Sequence, residues 1–255
     1  MHKTGKIIIR VLDGLLNAVL CLVATLMLII SGYSLLDNYR LHQQAHDDTL
    51  LTYKPVLTGE GASLSGTVSL ENQVAWLCID GSYIDFPVMQ GKNNFEYLNK
   101  DPYGEYRLSG SIFMDSRNSP DLMDEFSMIY GHHMDHYSMF GSLDLFTMDV
   151  YFDTHKTGWL ATREGLYDLE LFAVAWGEGD DWTIFNPEGK TAADVLPYIQ
   201  EHAVIYTQYI PGARILAMST CAGATDSSRR SSDNFAPAPT IVVDLSPGTL
   251  SAKAS

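Results

Sequence analysis

The longest apolar run in the chain lies near its N-terminus. From Gly14 to Leu36, 23 consecutive residues carry no charged side chain, and Asp13 and Asp37 bracket them. About 20 apolar residues span a bilayer as a helix, so the run predicts a transmembrane helix. A cleaved signal peptide is the alternative interpretation. Its apolar region would be shorter and would end in a small-x-small site, which residues 30–33 match poorly.

Three basic residues, Lys3, Lys6 and Arg10, precede the apolar run. Because positive residues stay on the cytoplasmic side, we expect a single-pass protein of the cell membrane with a cytoplasmic N-terminus and an extracellular domain. Residues 57–68 are rich in Gly, Ser and Thr, which is linker composition. The predicted parts are a cytoplasmic tip and anchor over 1–37, a partly helical stalk or linker over 38–71, a folded domain over 72–246 and a flexible tail over 247–255.

Short apolar runs separated by turn residues follow the linker. They predict strands at 74–79, 83–89, 111–114, 126–130, 158–162, 166–175, 214–218 and 240–245. Asp80-Gly81 and the triplet at 163–165 lie between neighbouring runs and are typical of hairpin turns. About eight short strands with turns between them predict a mainly β barrel or sandwich.

Two segments between the strands have helical patterns. Residues 191–194 have the form of a capping box, and the apolar residues at 195, 196, 199 and 203 follow at helical spacing. The second half of residues 138–153 predicts a further short helix.

Composition narrows the class of protein. The chain has 255 residues, of which 46% are hydrophobic and 18% charged, and this predicts a folded domain with a full core. The net charge of −15 argues against a nucleic-acid partner, because binding phosphates needs a basic surface. The three cysteines, Cys21, Cys78 and Cys221, are too few for a disulfide framework, although a Cys78–Cys221 bond remains open.

Cys221 ends an apolar run and opens a polar loop. A nearby positive charge lowers the pKa of a thiol, and Arg229 and Arg230 follow eight and nine residues later. His132 also ends an apolar run. A Cys, a His and an Arg are the residue types that acyl transfer needs: the thiolate attacks a carbonyl, the imidazolium protonates the leaving amine, and the guanidinium holds the substrate backbone or stabilises the oxyanion. A buried cysteine, a hydrogen-bonded rim histidine and solvated arginines are the alternative interpretation.

A metal site is the less favoured interpretation of the histidines. His132, His133 and His136 lie close together with Asp135, but three histidines within five residues are not the usual arrangement of two ligands plus a distant one. We therefore expect no metal and no other cofactor.

Six short motifs occur in order between residues 70 and 245. They are 74–79 (VAWLCI), 86–91 (FPVMQG), 94–98 (NFEYL), 110–115 (GSIFMD), 130–134 with 138–141 (YGHHM and SMFG) and 219–221 (STC). In this order they resemble the motifs of class B sortases, with Ala75 where that family has glycine. The resemblance implies an eight-stranded sortase β-barrel with a few helices, preceded by the N-terminal transmembrane helix.

The resemblance also implies an activity. Class B sortases are membrane-anchored cysteine transpeptidases of Gram-positive bacteria. They cleave a C-terminal sorting signal of a surface protein, hold the protein as a thioester and pass it to an amine of a cell-wall precursor or a pilin, without a metal or other cofactor. The expected partners are therefore sorting-signal-bearing surface proteins, the amine acceptor and the membrane.

The matching positions imply roles for individual residues. His132 is the acid/base, Cys221 the nucleophile and Arg229 or Arg230 the arginine, while Asn94, Leu98, Tyr130 and Ser219 match positions near the signal-peptide groove. The chain departs from the family after Arg230, because residues 231–239 separate it from the last strand, which the family's arginine opens directly.

Two other functions remain open. A secreted cysteine peptidase would release the thioester to water, and a non-catalytic docking domain on a sortase scaffold would only bind surface proteins. The recognised signal, the acceptor and the client proteins are not specified by the sequence.

Overall fold

In a computed structural model, residues 2–45, 48–56, 69–177, 181–221 and 238–247 are described. The chain divides into two units, residues 1–44 and residues 45–255. The first is formed by helix α1 (His2–Ala45). Within α1, the segment Leu12–Leu36 is long and apolar enough to cross a membrane.

The second unit is built on a β-barrel. Its strands are β1 (Gln73–Ile79), β2 (Asp85–Met89), β3 (Ile112–Met114), β4 (Phe126–His132), β5 (Thr157–Thr162), β6 (Leu166–Gly177), β7 (Ala203–Tyr206), β8 (Arg214–Cys221) and β9 (Ala238–Pro247). Eight of them pair in the order β5-β1-β2-β3-β4-β8-β9-β6, and β6 pairs back with β5. This closes the barrel, and the prediction of a mainly β, eight-stranded barrel is confirmed.

All eight predicted runs form strands, and both predicted hairpins are present as the antiparallel pairs β1–β2 and β5–β6. β7 is a ninth strand that pairs only with the second half of β6 among the described strands. The sequence does not predict β7, because Ala203 continues the apolar spacing of the preceding helix. That part of the helix prediction is wrong, since Ala203 leaves the helix and opens β7.

Four α-helices are described, and three of them belong to the second unit: α2 (Asp149–Thr154), α3 (Trp182–Phe185) and α4 (Ala192–His202). The described 3₁₀ helices are Asp48–Tyr53, Glu96–Leu98, Asp135–Tyr137 and Phe140–Thr147. The predicted capping box of α4 is confirmed, because the backbone N–H of Thr191 donates to Asp194 Oδ2 at 2.8 Å. The predicted short helix of the 138–153 region is α2.

Side chains alternate between two cores. Leu216 of β8 and Val243 of β9 belong to one buried cluster, together with Leu77 of β1. Their neighbours Ala217 and Val242 belong to a second cluster, together with Ile199 of α4. Because neighbouring residues of a strand face opposite sides, β8 and β9 each contribute to both cores. Each large apolar side chain buried this way stabilises the fold by about 1.5–3 kcal/mol.

Residues 48–56 pack against the outside of the barrel. Lys54 Nζ lies 2.5 Å from Asp85 Oδ2, and the indole of Trp76 donates to the other oxygen of Asp85 at 2.7 Å. The ammonium of Lys54 also lies 5.5 Å from the ring centre of Trp159. This part of the predicted stalk thus contacts β1, β2 and β5. The predicted linker at 57–68 lies outside the described residues, as does the tail beyond Pro247.

Candidate active site

The two residues predicted to carry the chemistry lie on neighbouring parallel strands. β4 and β8 pair over seven consecutive positions, and the last pair is His132 with Cys221. Neighbouring strands run about 4.8 Å apart, so the backbones of these two residues lie side by side at the carboxyl ends of their strands. The structure therefore brings the predicted nucleophile and the predicted acid/base to the same end of the barrel.

Gly131 allows β4 to reach this position. A Cβ atom there would collide with the side chain of Ile112 and would lie 2.9 Å from ring atoms of Phe140. The glycine of the Y-G-H motif is thus required by close packing directly beside His132. Because of this glycine, β4 stays buried up to Gly131 and ends at the half-buried His132.

A tight loop follows His132. His133 forms an isolated antiparallel β-bridge with Met139. Three residues other than glycine, His136, Tyr137 and Met139, have φ between 50° and 60°. Such left-handed conformations are unusual for these residue types and persist where the surrounding structure holds them. The loop therefore returns the chain at once to the barrel.

The imidazole of His132 has a defined partner. Its Nε2 lies 2.7 Å from the carbonyl oxygen of Leu98. A carbonyl oxygen only accepts hydrogen bonds, so Nε2 carries a proton and, in the neutral imidazole, Nδ1 is the unprotonated nitrogen. Leu98 ends the 3₁₀ turn that packs on Gly110, whose φ of 59° and missing Cβ let the carbonyls of the turn approach. Two predicted site residues, His132 and Leu98, are thereby in contact.

Asn94 and Tyr130 both bond the carboxylate of Asp115, a residue for which the sequence patterns predict no role. The amide of Asn94 donates to Asp115 Oδ2 at 2.8 Å, and the hydroxyl of Tyr130 donates to the same oxygen at 3.1 Å. Asp115 is fully buried at the end of β3. Its place in the G-S-I-F-M-D motif is the signal that could have identified it.

Arg117 neutralises this carboxylate. Its guanidinium donates to both oxygens of Asp115, at 2.8 Å from Nε and 2.6 Å from Nη2. Burial alone would raise the pKa of Asp115, but the hydrogen bonds from Arg117 and Asn94 outweigh it and hold that pKa below its usual value. Arg117 also donates to the carbonyl of Phe185 and the side chain of Asn186, so the network reaches α3 and the residue that follows it.

Ser219 is fully buried between β4 and β9. It is the register partner of Tyr130, and its hydroxyl accepts a hydrogen bond from the hydroxyl of Thr240 at 3.0 Å. The side chain therefore bonds the next strand of the barrel. Arg229 and Arg230 lie outside the described residues.

Cys78 is a different kind of thiol. It is free, so the Cys78–Cys221 disulfide that composition left open is not formed. Burial, together with the negative charge of Asp85, raises the pKa of Cys78 to about 12. Because the thiolate is the nucleophilic form of a cysteine, Cys78 is unsuited to nucleophilic catalysis at neutral pH.

The histidines near the site have protein partners. His133 Nε2 lies 2.7 Å from Asp144 Oδ2, and His132 bonds Leu98 as described. Within the part of the chain that the structure describes, no group of three or more His, Cys, Asp or Glu side chains could hold a metal ion.

Comparison with curated proteins identifies relatives of one kind. Sortase B of Listeria monocytogenes is 31% identical over 220 residues, which cover 77% of this chain and 88% of the relative. Sortase B of Staphylococcus aureus is 36% identical over 101 residues, or 40% of this chain and 41% of the relative. No protein-family model matches the chain.

Solved structures agree with the sequence relatives. A class B sortase of Streptococcus pyogenes has a TM-score of 0.60 at 32% identity, over 69% of this chain and 93% of the neighbour. The S. aureus sortase B–substrate complex has a TM-score of 0.61 at 27% identity, over 69% and 81%.

The fold is thus that of a class B sortase, and the relatives imply a cysteine transpeptidase. With 31% identity over most of the listerial enzyme, the chain belongs to the class B sortase family.

Proposed function

We propose that this chain is a membrane-anchored sortase that cleaves a C-terminal sorting signal through a thioester on Cys221 and transfers the protein to a cell-wall or pilin amine. The observation that carries the proposal is the pairing of His132 with Cys221 at the ends of β4 and β8. In a chain related to sortase B over most of its length, this pairing joins the residue types that acyl transfer requires.

The first half-reaction forms the acyl-enzyme. The Cys221 thiolate attacks the carbonyl carbon of the scissile amide, and the new S–C bond makes a tetrahedral oxyanion. The His132 imidazolium then gives its Nδ1 proton to the nitrogen of the leaving peptide as the C–N bond breaks. The bond from Nε2 to the Leu98 carbonyl keeps Nδ1 directed to this exchange.

The second half-reaction releases the product. The acceptor amine attacks the thioester carbonyl, its proton passes to the neutral Nδ1 of His132, and the Cys221 thiolate leaves as the new amide forms. Water in place of the amine would make the enzyme a peptidase. We assign stabilisation of the oxyanion or of the substrate backbone to Arg229 or Arg230.

The remaining predicted residues belong to the groove that holds the signal. Leu98 and Asn94 are half-buried on the 94–98 segment beside His132, while Tyr130 and Ser219 are buried beneath it on β4 and β8. We therefore propose that Leu98 and Asn94 contact the signal, and that Tyr130 and Ser219 form the floor that supports it.

Anchoring completes the proposal. α1 would hold the protein in the cell membrane as a single span, with Lys3, Lys6 and Arg10 in the cytoplasm and residues from about 38 outside. The proposed parts remain an anchor over 1–37, a stalk over 38–71, a catalytic domain over 72–246 and a tail over 247–255.

Substitution of the two catalytic residues tests the chemistry. A quenched library of short peptides with threonine before the scissile bond, where the resemblance to class B sortases places the cleavage, would first supply a substrate. Cys221→Ala and His132→Ala should then abolish cleavage, with a loss of at least about 10³-fold. Retained cleavage in either variant would refute the mechanism.

The separate variants Arg229→Ala and Arg230→Ala identify the arginine, and full activity in both contradicts its assignment.

Added amines separate transfer from hydrolysis. Peptides that end in an oligoglycine amine, or that present a lysine amine, should appear ligated to the acyl part of the substrate, as detected by mass spectrometry. Hydrolysed product alone would favour the peptidase. Binding of the peptide without any cleavage would favour the docking domain. The S. pyogenes relative is involved in pilus biogenesis, which makes a lysine of a pilin one acceptor to test.

A further inference from the structure

Asp115 lies at the centre of a buried network that joins three segments around the site. Its fully buried carboxylate accepts hydrogen bonds from Asn94, from Tyr130 and from the guanidinium of Arg117. In addition, Asn94 Oδ1 accepts the backbone N–H of Ser116 at 2.7 Å, so Asn94 is held from both sides. A satisfied buried network of this kind is rigid, and its members are costly to remove singly.

Two routes lead from this network to His132. The first runs through the 94–98 segment, which begins at Asn94 and ends at Leu98, whose carbonyl bonds the imidazole. The second runs along β4, because Tyr130 precedes His132 by two residues and therefore faces the same side of the strand. Displacement of Asp115 would affect both supports of the imidazole at once.

We propose that Asp115 is a positioning residue of the transpeptidase reaction, which holds the Leu98 carbonyl and β4 so that His132 delivers its proton to the leaving amine. Asp115 touches neither the thiol nor the substrate in this assignment. The inference rests on the proposed function and deepens it. Proton delivery depends steeply on geometry, and a displacement of about 1 Å lowers such rates by about 10²-fold.

A second buried aspartate provides a matched control. Asp101 is 3% exposed, pairs with Arg107 at 2.8 Å and accepts the backbone N–H groups of Tyr103 and Glu105. It resembles Asp115 in burial and in its arginine partner, but these bonds lie within residues 101–107. Asp101→Asn should therefore weaken the 101–107 loop and leave the bonds of Asn94 and Tyr130 to Asp115 intact.

The leaving group of the substrate distinguishes positioning from general damage. An amide needs a proton on its leaving nitrogen, whereas a thioester at the same bond releases a thiolate that needs none. For each full-length variant we would measure kcat/KM on the peptide selected from the library and on its thioester analogue, with Cys221→Ala as the blank. Asp115→Asn should lower amide turnover by about 10²-fold and thioester turnover by less than about 5-fold, whereas Asp101→Asn should change both substrates equally.

Equal losses on the two substrates in Asp115→Asn, or the same selectivity in Asp101→Asn, would overturn the inference. If circular dichroism shows that the Asp115→Asn variant is unfolded, Tyr130→Phe is measured in its place. The Tyr130→Phe substitution removes only one hydroxyl donor to Asp115. We then expect an amide-selective loss of about 3-fold or more, and an equal effect on both substrates, or none on either, overturns the inference. Turnover by Cys221→Ala would instead refute the proposed function itself.

Discussion

Cys221 is the register partner of His132, at the last paired position of the parallel strands β4 and β8. The same two strands pair Tyr130 with Ser219 two positions earlier. The backbone positions of the predicted catalytic pair therefore follow directly on those of the buried pair Tyr130 and Ser219. The predicted site lies at the open end of two strands that are firmly paired within the barrel wall.

Gly131→Ala should destabilise the protein and lower its activity. The new Cβ collides with Ile112 and approaches Phe140, so β4 must shift beside His132. We expect a loss of about 1–3 kcal/mol in the free energy of unfolding, measured by urea titration, together with a reduced kcat. The second substitution Ile112→Val removes the methyl group that the new Cβ meets first, and it should recover part of both losses. No recovery would show that this collision is not the cause.

Asp244 should make the stability of the protein fall as the pH rises from about 4 to about 6. Asp244 is buried on β9, and burial, assisted by the charge of Glu170, raises its pKa to about 6. In the unfolded chain an aspartate has a pKa of about 3.9. Between these values the unfolded chain has released a proton that the folded chain retains. The stabilisation is therefore complete below about pH 4 and is lost as the pH rises through about 6.

Asp244→Asn should remove this dependence. The neutral amide can still accept the hydrogen bond that the backbone N–H of Ile210 donates at 2.9 Å. At pH 7.5 we expect the variant to be more stable than the parent protein by about 2–3 kcal/mol, and at pH 4 the two should agree. Urea unfolding across the pH range measures both values. A variant that is less stable at pH 7.5 would contradict the assignment, and Glu170→Gln should give a smaller gain.

Cys78 should resist alkylation while Cys221 reacts. With a pKa of about 12, the thiol of Cys78 is almost wholly protonated at pH 7.5. Iodoacetamide should therefore modify it about 10³-fold more slowly than an ordinary thiol. Peptide mapping by mass spectrometry locates the label, and unfolding in urea should bring Cys78 to the ordinary rate. Rapid labelling of Cys78 in the folded protein would show that burial does not keep this thiol protonated.

Ser219 and Thr240 should be coupled in stability. Their hydroxyl groups are buried and bonded at 3.0 Å, so Ser219→Ala and Thr240→Val should each lower the free energy of unfolding by about 1 kcal/mol. The double variant should lose less than the sum, which urea titration of all four proteins would detect. Because we propose that Ser219 forms part of the groove, Ser219→Ala should also raise KM more than Thr240→Val does. Strictly additive losses would argue against the bond.

Local patterns predict most of the barrel. Apolar runs and turn residues are short-range features, so the eight strands, the two hairpins and the capped start of α4 follow from the sequence. β7 does not, because its side chains lie at an edge and are only partly buried. Ala203 fits helix and strand equally well there, and its partners on β6 decide between them.

Contacts between distant residues are harder to predict. Nothing local indicates that β4 lies beside β8, or that Asp115 receives Asn94 and Tyr130. The motifs that resemble class B sortases predict Asn94 and Tyr130 as site residues, but they do not predict the carboxylate that the two share. The structure adds this physical connection between them.

The pairing of β4 with β8 also determines when the chain can become reactive. Cys221 follows His132 by roughly ninety residues, and contacts of such high sequence separation form late because a long loop must first close. Between them come β5, β6, β7 and three α-helices. Because His132 precedes Cys221, a growing chain carries the imidazole before it carries the thiol. The two residues become neighbours only when β8 pairs with β4, so the predicted catalytic pair is assembled by one of the last strands to join the barrel.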